Sequence, residues 1–376
     1  MASTRWLMVL MLGPLPWLQM VKSGFSVQSF ANVANWNPSV IIPKDGIYLI
    51  SVIIDPFLGS NMTLPLYCQC QGKERFFFSA HGEAIYSHAE VATALKKNDK
   101  VFLKKKRQEP IEAASSLSVV YVGELNSFYI TVMNGLYWSD KNPVQYTSQL
   151  TPTGWTRLKD PVTQTTFTVS TTGMYWVTAR AKPYEKPITM TVRIGSNDLF
   201  KVFAEKARSV SASGAFYLKS GSKIQAVTQG GVIYEPQTLL SAVYLAGNKK
   251  PNTYPFEHLA FTAELDSTRR VVAKEVLQFK HVLTNNGYIY VDGYTEIRRT
   301  GSYMVSIRPD PESTTLVIVT LYVNGTFYWG IYAEEGVPVG ATISLSLQVG
   351  SYLEVRNVKA TTLGSGTMFS IAFIQP

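Results

Sequence analysis

A phrase built as Gly-x-Tyr followed by small and β-branched residues occurs three times in this chain of 376 residues. It reads "DGIYLISVII" from Asp45, "TGMYWVTARA" from Thr172 and "TGSYMVSIRP" from Thr300. Gly46, Gly173 and Gly301 are 127 and 128 residues apart. Two further landmarks keep the same order. A polar turn and short apolar run follow each glycine, at Asn98-Asp99-Lys100-Val101, Gly221-Ser222-Lys223-Ile224 and Gly350-Ser351-Tyr352-Leu353. A closing run, "LSVVYVG", "LSAVYLAG" or "FSIAFIQP", carries Ser118, Ser241 or Ser370, each 20 residues beyond Asn98, Gly221 or Gly350. Three landmarks at near-constant spacing define a tandem repeat, and a unit of about 125 residues has the size of a free-standing domain rather than a solenoid repeat.

Within a unit the pattern alternates with period two: Tyr175, Val177 and Ala179 share one face, Trp176, Thr178 and Arg180 the other. Thr, Val, Tyr and Ile dominate, and turn signals such as "NNG", "VNGT" and "GSN" recur every ten residues or so. "HAEVATALKK" could be drawn as a helix, but the constant spacing makes it a strand. These features predict an all-β chain of antiparallel sandwiches. Each repeat glycine is expected to hold a positive φ before a buried strand, and Tyr48, Tyr175 and Tyr303 to point into the core.

The chain is 46% hydrophobic and 16% charged, enough apolar material for packed cores. Arg5, the apolar run Trp6 to Leu18 and the small-residue site around Ser23 predict a cleaved secretory leader over 1–23. That run is shorter than the roughly 20 residues a bilayer span needs, and no stable membrane span is expected elsewhere. Removing Arg5 and Lys22 takes the net charge from +9 to +7. Much of the excess lies in "KKNDKVFLKKKR", whose Lys96, Lys97, Lys100, Lys104, Lys105, Lys106 and Arg107 form a basic strip for an anionic ligand, or a solvated edge protected by lysine. Secretion leaves no role for nucleic acid.

The landmarks together resemble the globular-head domain of the C1q family. Its signature is an aromatic, five residues, then Gly-x-Tyr-x-Phe-x-aromatic; Phe167, Gly173 and Tyr175 are similar to it, with Val177 and Ala179 in place of the last two aromatics, and weaker counterparts stand at Tyr294, Gly301, Tyr303, Val305, Ile307 and at Val40, Gly46, Tyr48, Ile50, Val52. Its "GD-x-V" turn resembles Asn98-Asp99, Gly221-Ser222 and Gly350-Ser351. The resemblance implies three tandem jelly rolls of the type shared with tumour-necrosis-factor ligands, over 24–125 (abbreviated at its start), 126–248 and 256–376. Because such heads pack in threes, it also implies either an intramolecular pseudo-trimer or separate heads on one string that each recruit copies from other chains into an oligomer. There is no collagenous Gly-X-Y stem and no run of Asp suited to calcium, so no metal and no cofactor are expected.

Little chemistry suggests an enzyme. The four histidines (His81, His88, His258 and His281) lie outside any nucleophile-elbow or HExxH context. Cys68, Cys70, His81 and His88 match no common zinc spacing. The cysteines are two residues apart, where a bridge is strained, so buried thiols or a bridge to another chain are the alternatives. Asn61-Met62-Thr63 and Asn324-Gly325-Thr326 are glycan acceptors in turn-like context. Glu334 and Glu335 read as a solvated loop, and Arg269-Arg270 as an exposed edge. The resulting expectation is a secreted, non-enzymatic recognition protein of innate immunity or the extracellular space, with an extracellular protein or glycan as partner. A structural component of an extracellular matrix, egg coat or mineralised tissue and a signalling ligand like tumour necrosis factor or the synaptic organisers are the alternatives.

Overall fold

The computed structural model describes residues 19–20, 26–30, 38–54, 61–83, 87–104, 115–124, 129–133, 143–151, 154–158, 165–205, 209–233, 238–245, 259–312, 316–333, 336 and 338–375. All regular structure there is antiparallel β. Most of the leader, Lys105, Lys106, Arg107, His258, Glu334 and Glu335 lie outside these residues.

Six of the seven sheets among the described residues form three facing pairs; the seventh pairs only Arg269–Val271 with Thr361–Leu363. In each pair the inner sheet places the Gly-x-Tyr strand (Gly46–Ile54, Gly173–Ala181, Gly301–Arg308) between a closing strand (Ser116–Gly123, Leu239–Tyr244, Met368–Gln375) and an edge strand (Ser87–Leu95, Val210–Leu218, Ala341–Leu347). An opening strand, Ser26–Phe30, Tyr129–Met133 or Ala260–Glu264, pairs with the closing strand on its far side. Beyond it the second unit adds Ser148–Thr151 and Gly154–Arg157, the third adds His281–Asn286, and the first, among the described residues, adds Gln19–Met20. The outer sheets follow the orders Ser39–Ile41, Lys100–Leu103, Asn61–Cys70, Lys73–Glu83 in the first unit and Phe167–Thr168, Lys223–Gln229, Ile188–Ile194, Asn197–Ala204 in the second. "HAEVATAL" lies in the edge strand of the first unit, as its spacing requires.

The tyrosine motif is built the same way three times. Tyr48, Tyr175 and Tyr303 have fully buried side chains, and each hydroxyl donates to a carbonyl four residues upstream: Lys44 at 2.7 Å, Thr171 at 2.5 Å, Arg299 at 2.5 Å. Each ring meets an aromatic of the closing strand edge-on, Tyr121 at 5.5 Å, Tyr244 at 5.3 Å and Phe373 at 5.2 Å between centroids. The expected positive φ is present at Gly173 and Gly301, at 158° and 155°, and not at Gly46. Crowding adds to it, because a Cβ on Gly46 or Gly173 would collide with the ring of Tyr121 or Tyr244. The polar turn carries a further positive-φ position, where Asn98, Gly221 and Gly350 have φ of 71°, 85° and 83°.

The outward faces of the inner sheets meet one another. Ile47, Leu49, Ala92, Val120 and Val122 of the first unit, Met174, Trp176, Ala215, Val243 and Leu245 of the second, and Ala260, Met304, Ala372 and Ile374 of the third form one buried cluster. Hydrogen bonds cross all three boundaries: Thr131 Oγ1 to the Ala92 carbonyl at 2.7 Å, Thr262 Oγ1 to the Ala215 carbonyl at 2.9 Å, and Ser51 Oγ to the Thr342 carbonyl at 2.9 Å. The units therefore close a ring around a shared axis.

Candidate ligand-binding face and the buried axial cluster

Alternation along the outer sheet of the first unit sends Val40, Val101 and Cys68 inward and leaves their neighbours outside. Strand register then assembles two outward rows. One runs Ser39, Phe102, Tyr67, Phe76; the other runs Ile41, Lys100, Gln69, Glu74. Tyr67 stacks on Phe102 with centroids 5.9 Å apart and meets Phe76 edge-on at 5.7 Å. Lys104 Nζ sits 4.6 Å above the Tyr67 ring, and Lys100 Nζ is 5.9 Å from the Phe102 centroid. Ile41 is 64% exposed and Phe76 is 37% exposed, so the platform is open to solvent. Lys104 is held by Glu74 at 2.5 Å, an exposed pair worth little in stability.

The basic strip is thus divided. Lys100 and Lys104 stand on the aromatic platform. Lys96 and Lys97 lie in the turn at the end of the sandwich, which buried Asp99 organises by accepting from the backbone N–H of Lys96 at 2.8 Å and of Gln71 at 3.1 Å. Nearby, Lys44 caps the Tyr121 ring at 3.6 Å. Lys105, Lys106 and Arg107 lie outside the described residues. The aromatic partners Tyr67, Phe76 and Phe102 were missed by reading the strip as a charge run; the alternation in "LYCQC" and "KVFL" was the available signal.

Cys68 and Cys70 are joined to each other in a disulfide, with Cα atoms 5.4 Å apart. This corrects the expectation of thiols or an external partner and removes both sulfurs from the zinc reading. His81 and His88 lie on different strands of different sheets. Asn61 begins a strand, paired with Glu83, rather than a turn. Asn324 does occupy a hairpin turn with Gly325, both at positive φ, where its Oδ1 accepts from the Tyr352 N–H at 2.9 Å. Arg269 is bound to Glu275 at 2.7 Å.

The second concentration of polar chemistry is buried at the axis. Glu90 accepts at Oε1 from Trp176 Nε1 at 2.7 Å and from Thr178 Oγ1. Ser51 Oγ lies 2.9 Å from His88 Nε2. Because that hydroxyl gives its proton to the Thr342 carbonyl, Nε2 carries the imidazole hydrogen, and His88 Nδ1 has no partner among the described residues. Burial, reinforced by the charge of Arg180, pushes His88 down to about 3, and burial pushes Glu90 up to about 7 despite the bonds from Thr178 and Trp176. Arg180, also desolvated, is lowered to about 10 and donates from Nε to Ser209 Oγ at 2.6 Å. Ser51, His88 and Glu90 do not form a nucleophilic triad. The carboxylate stands 3.7 Å from Nε2, the same nitrogen that faces the serine, and all three residues are shut away from solvent.

No family model matches the chain, and no characterised protein matches it by sequence. Among solved structures, the chain is similar to the triple jelly roll fold of an archaeal virus turret assembly (13% identity, 93% of this chain and 83% of that one, TM-score 0.22). It is also similar to PNGF-II (9% identity, 87% and 99%, TM-score 0.27) and to the CBM22-1-CBM22-2 tandem domain of Paenibacillus barcinonensis Xyn10C (10% identity, 65% and 92%, TM-score 0.18). Likeness at this level carries no information about ligand or activity. No helix among the described residues is long and apolar enough to cross a membrane.

Proposed function

We propose that this chain is a secreted, non-enzymatic recognition protein of C1q-like type, which holds anionic glycans on the outer face of its first unit. The observation that carries this reading is the Phe102–Tyr67–Phe76 row with Lys100 and Lys104 poised over it. Flat rings take the C–H faces of sugars, and ammonium groups meet sulfate or carboxylate. Lys96 and Lys97 at the sandwich end extend the positive field. The ring-shaped closure of three sandwiches supports a rigid display scaffold, in which the buried axis holds the faces in fixed relation.

The test is retention of the folded protein on heparin. Lys100→Glu with Lys104→Glu should abolish it, and Tyr67→Ala should weaken it at every salt concentration. Glu74→Gln frees Lys104 from its ion pair and should raise the eluting salt. Wild-type retention by the double charge reversal defeats the proposal.

A further inference from the structure

A second ligand-sized feature lies at the seam between the second and third units. It is a groove of about 380 Å³ lined by Leu199, Phe216 and Tyr217 from one unit and by Leu283, Thr284, Asn285 and Asn286 from the other. Its floor is firm. Phe216 is buried and stacks on Phe200 with centroids 5.6 Å apart and planes inclined by 15°. Its walls are tied together one residue away, where Thr262 Oγ1 both accepts from the Ala215 N–H at 3.1 Å and donates to the Ala215 carbonyl at 2.9 Å.

Pseudo-symmetry sets this groove apart from the other seams. Strand register places Tyr217 opposite Met174, as it places Ala94 opposite Ile47 and Ser346 opposite Ser302. The other two edge strands therefore manage with a methyl or a hydroxymethyl group where the second carries a phenol that is 56% exposed. The opposite wall differs too. Thr284 pairs with Thr262; continuing the register of Tyr129–Met133 with Ser148–Thr151 puts Leu150 in the same place beside Thr131. Leu150 is fully buried and joins the apolar core of the first unit, sealing that seam. At the second seam the plug is replaced by a hydroxyl followed by two primary amides.

We propose that this groove is a neutral-saccharide site, distinct from the anionic face. Among the described residues the lining contains no charged side chain, so they offer nothing to a sulfate, phosphate or ammonium group. It offers an exposed ring and leucine edges for the C–H face of a pyranose, and a hydroxyl with amides for its hydroxyl groups. Asn285 Oδ1 accepts from the Tyr288 N–H at 3.2 Å, which fixes the amide and leaves its N–H₂ end as a donor. The volume falls at the small end of ligand sites, suited to one or two sugar rings.

Saturation-transfer NMR with lactose, maltose, cellobiose and chitobiose, each at about 10 mM to register binding in the millimolar range, tests the assignment. At least one disaccharide should receive saturation, lose it with Tyr217→Ala, lose part of it with Asn285→Ala, and keep it with Tyr184→Ala at an exposed tyrosine outside the groove. No transfer to any of the four, or transfer that survives Tyr217→Ala, overturns the proposal. Tyr217→Ala should melt like wild type, since alanine serves at the equivalent position of the first unit, and should leave heparin retention unchanged. The two binding proposals therefore fail separately.

Discussion

The two sides of each Gly-x-Tyr strand have been treated differently. On the side facing the sandwich interior, the three copies agree closely: Tyr48, Tyr175, Tyr303; Ile50, Val177, Val305; Val52, Ala179, Ile307. On the side facing the axis they diverge: Leu49, Trp176, Met304, then Ile53, Arg180, Arg308. The neighbouring edge strands diverge as well, with Glu90, Ser213 and Thr342 at one level. On this side each strand repeats one local arrangement, a buried tyrosine against an aromatic of the closing strand, so one solution serves three times. The axis is solved once for the whole chain. A symmetric trimer of the first unit would bring three copies of Glu90 together, where burial penalises even one charge. A single chain can instead supply one carboxyl group and surround it with Trp176 and Thr178 from another unit.

The comparison can be broken most forcefully at Trp176. It is fully buried and donates to Glu90, so Trp176→Ala should cost about 3–5 kcal/mol in chemical denaturation, the range for large aromatics removed from cores. A cost below 1 kcal/mol would mean that the units do not depend on the axis. Glu90 gives the next largest effect, read through pH. Its folded value of about 7 lies above its ordinary 4.5, so the folded state binds the extra proton and the Glu90 contribution to stability falls as pH rises from 4.5 to 7, by an amount on the order of 3 kcal/mol. His88 acts with opposite sign, because its value is depressed from 6.5 to about 3 and its contribution grows as pH rises across that window. The two offset each other between 4.5 and 6.5, so Glu90→Gln should turn a nearly flat stretch there into a continued rise of stability up to pH 6.5. A wild-type pH profile in that variant would show the carboxyl group to be solvated.

Smaller effects sharpen the interior side. Tyr48→Phe, Tyr175→Phe and Tyr303→Phe each remove one hydroxyl-to-carbonyl bond and should each cost about 1 kcal/mol. Similar costs would confirm equivalence; a spread of several-fold would end it. Smallest of all, Glu74→Gln on the outer face should move stability by no more than about 1 kcal/mol, even while it changes heparin retention.

The repeat was legible because its landmarks are conspicuous in one dimension: a glycine, a tyrosine two residues on, a turn, and a closing serine. The positive φ of Gly173 and Gly301 was legible; the crowding was not, because the ring that excludes a Cβ from Gly46 or Gly173 comes from a strand some 70 residues later, at Tyr121 or Tyr244. The axial cluster was hidden for the same reason. His88 and Glu90 look like ordinary polar residues of an alternating strand until the second and third units cover them. The charge run was visible, but only strand pairing shows that Lys104 stands over Tyr67 of a neighbouring strand and that Phe102, within the run, stacks on that same ring. The resemblance to C1q heads anticipated jelly-roll architecture, and none of the residues at the axis or in the seam groove.

The bond from Ser51 to the Thr342 carbonyl joins positions 291 residues apart. A ribosome releases the first unit long before it makes the strand that completes it, so the nascent protein must carry an unfinished, partly polar wall through most of its synthesis. Closure is then a late event that any shortened chain fails to reach. Quality control in the cell would have a simple criterion to act upon: a wall still wet means a molecule still incomplete.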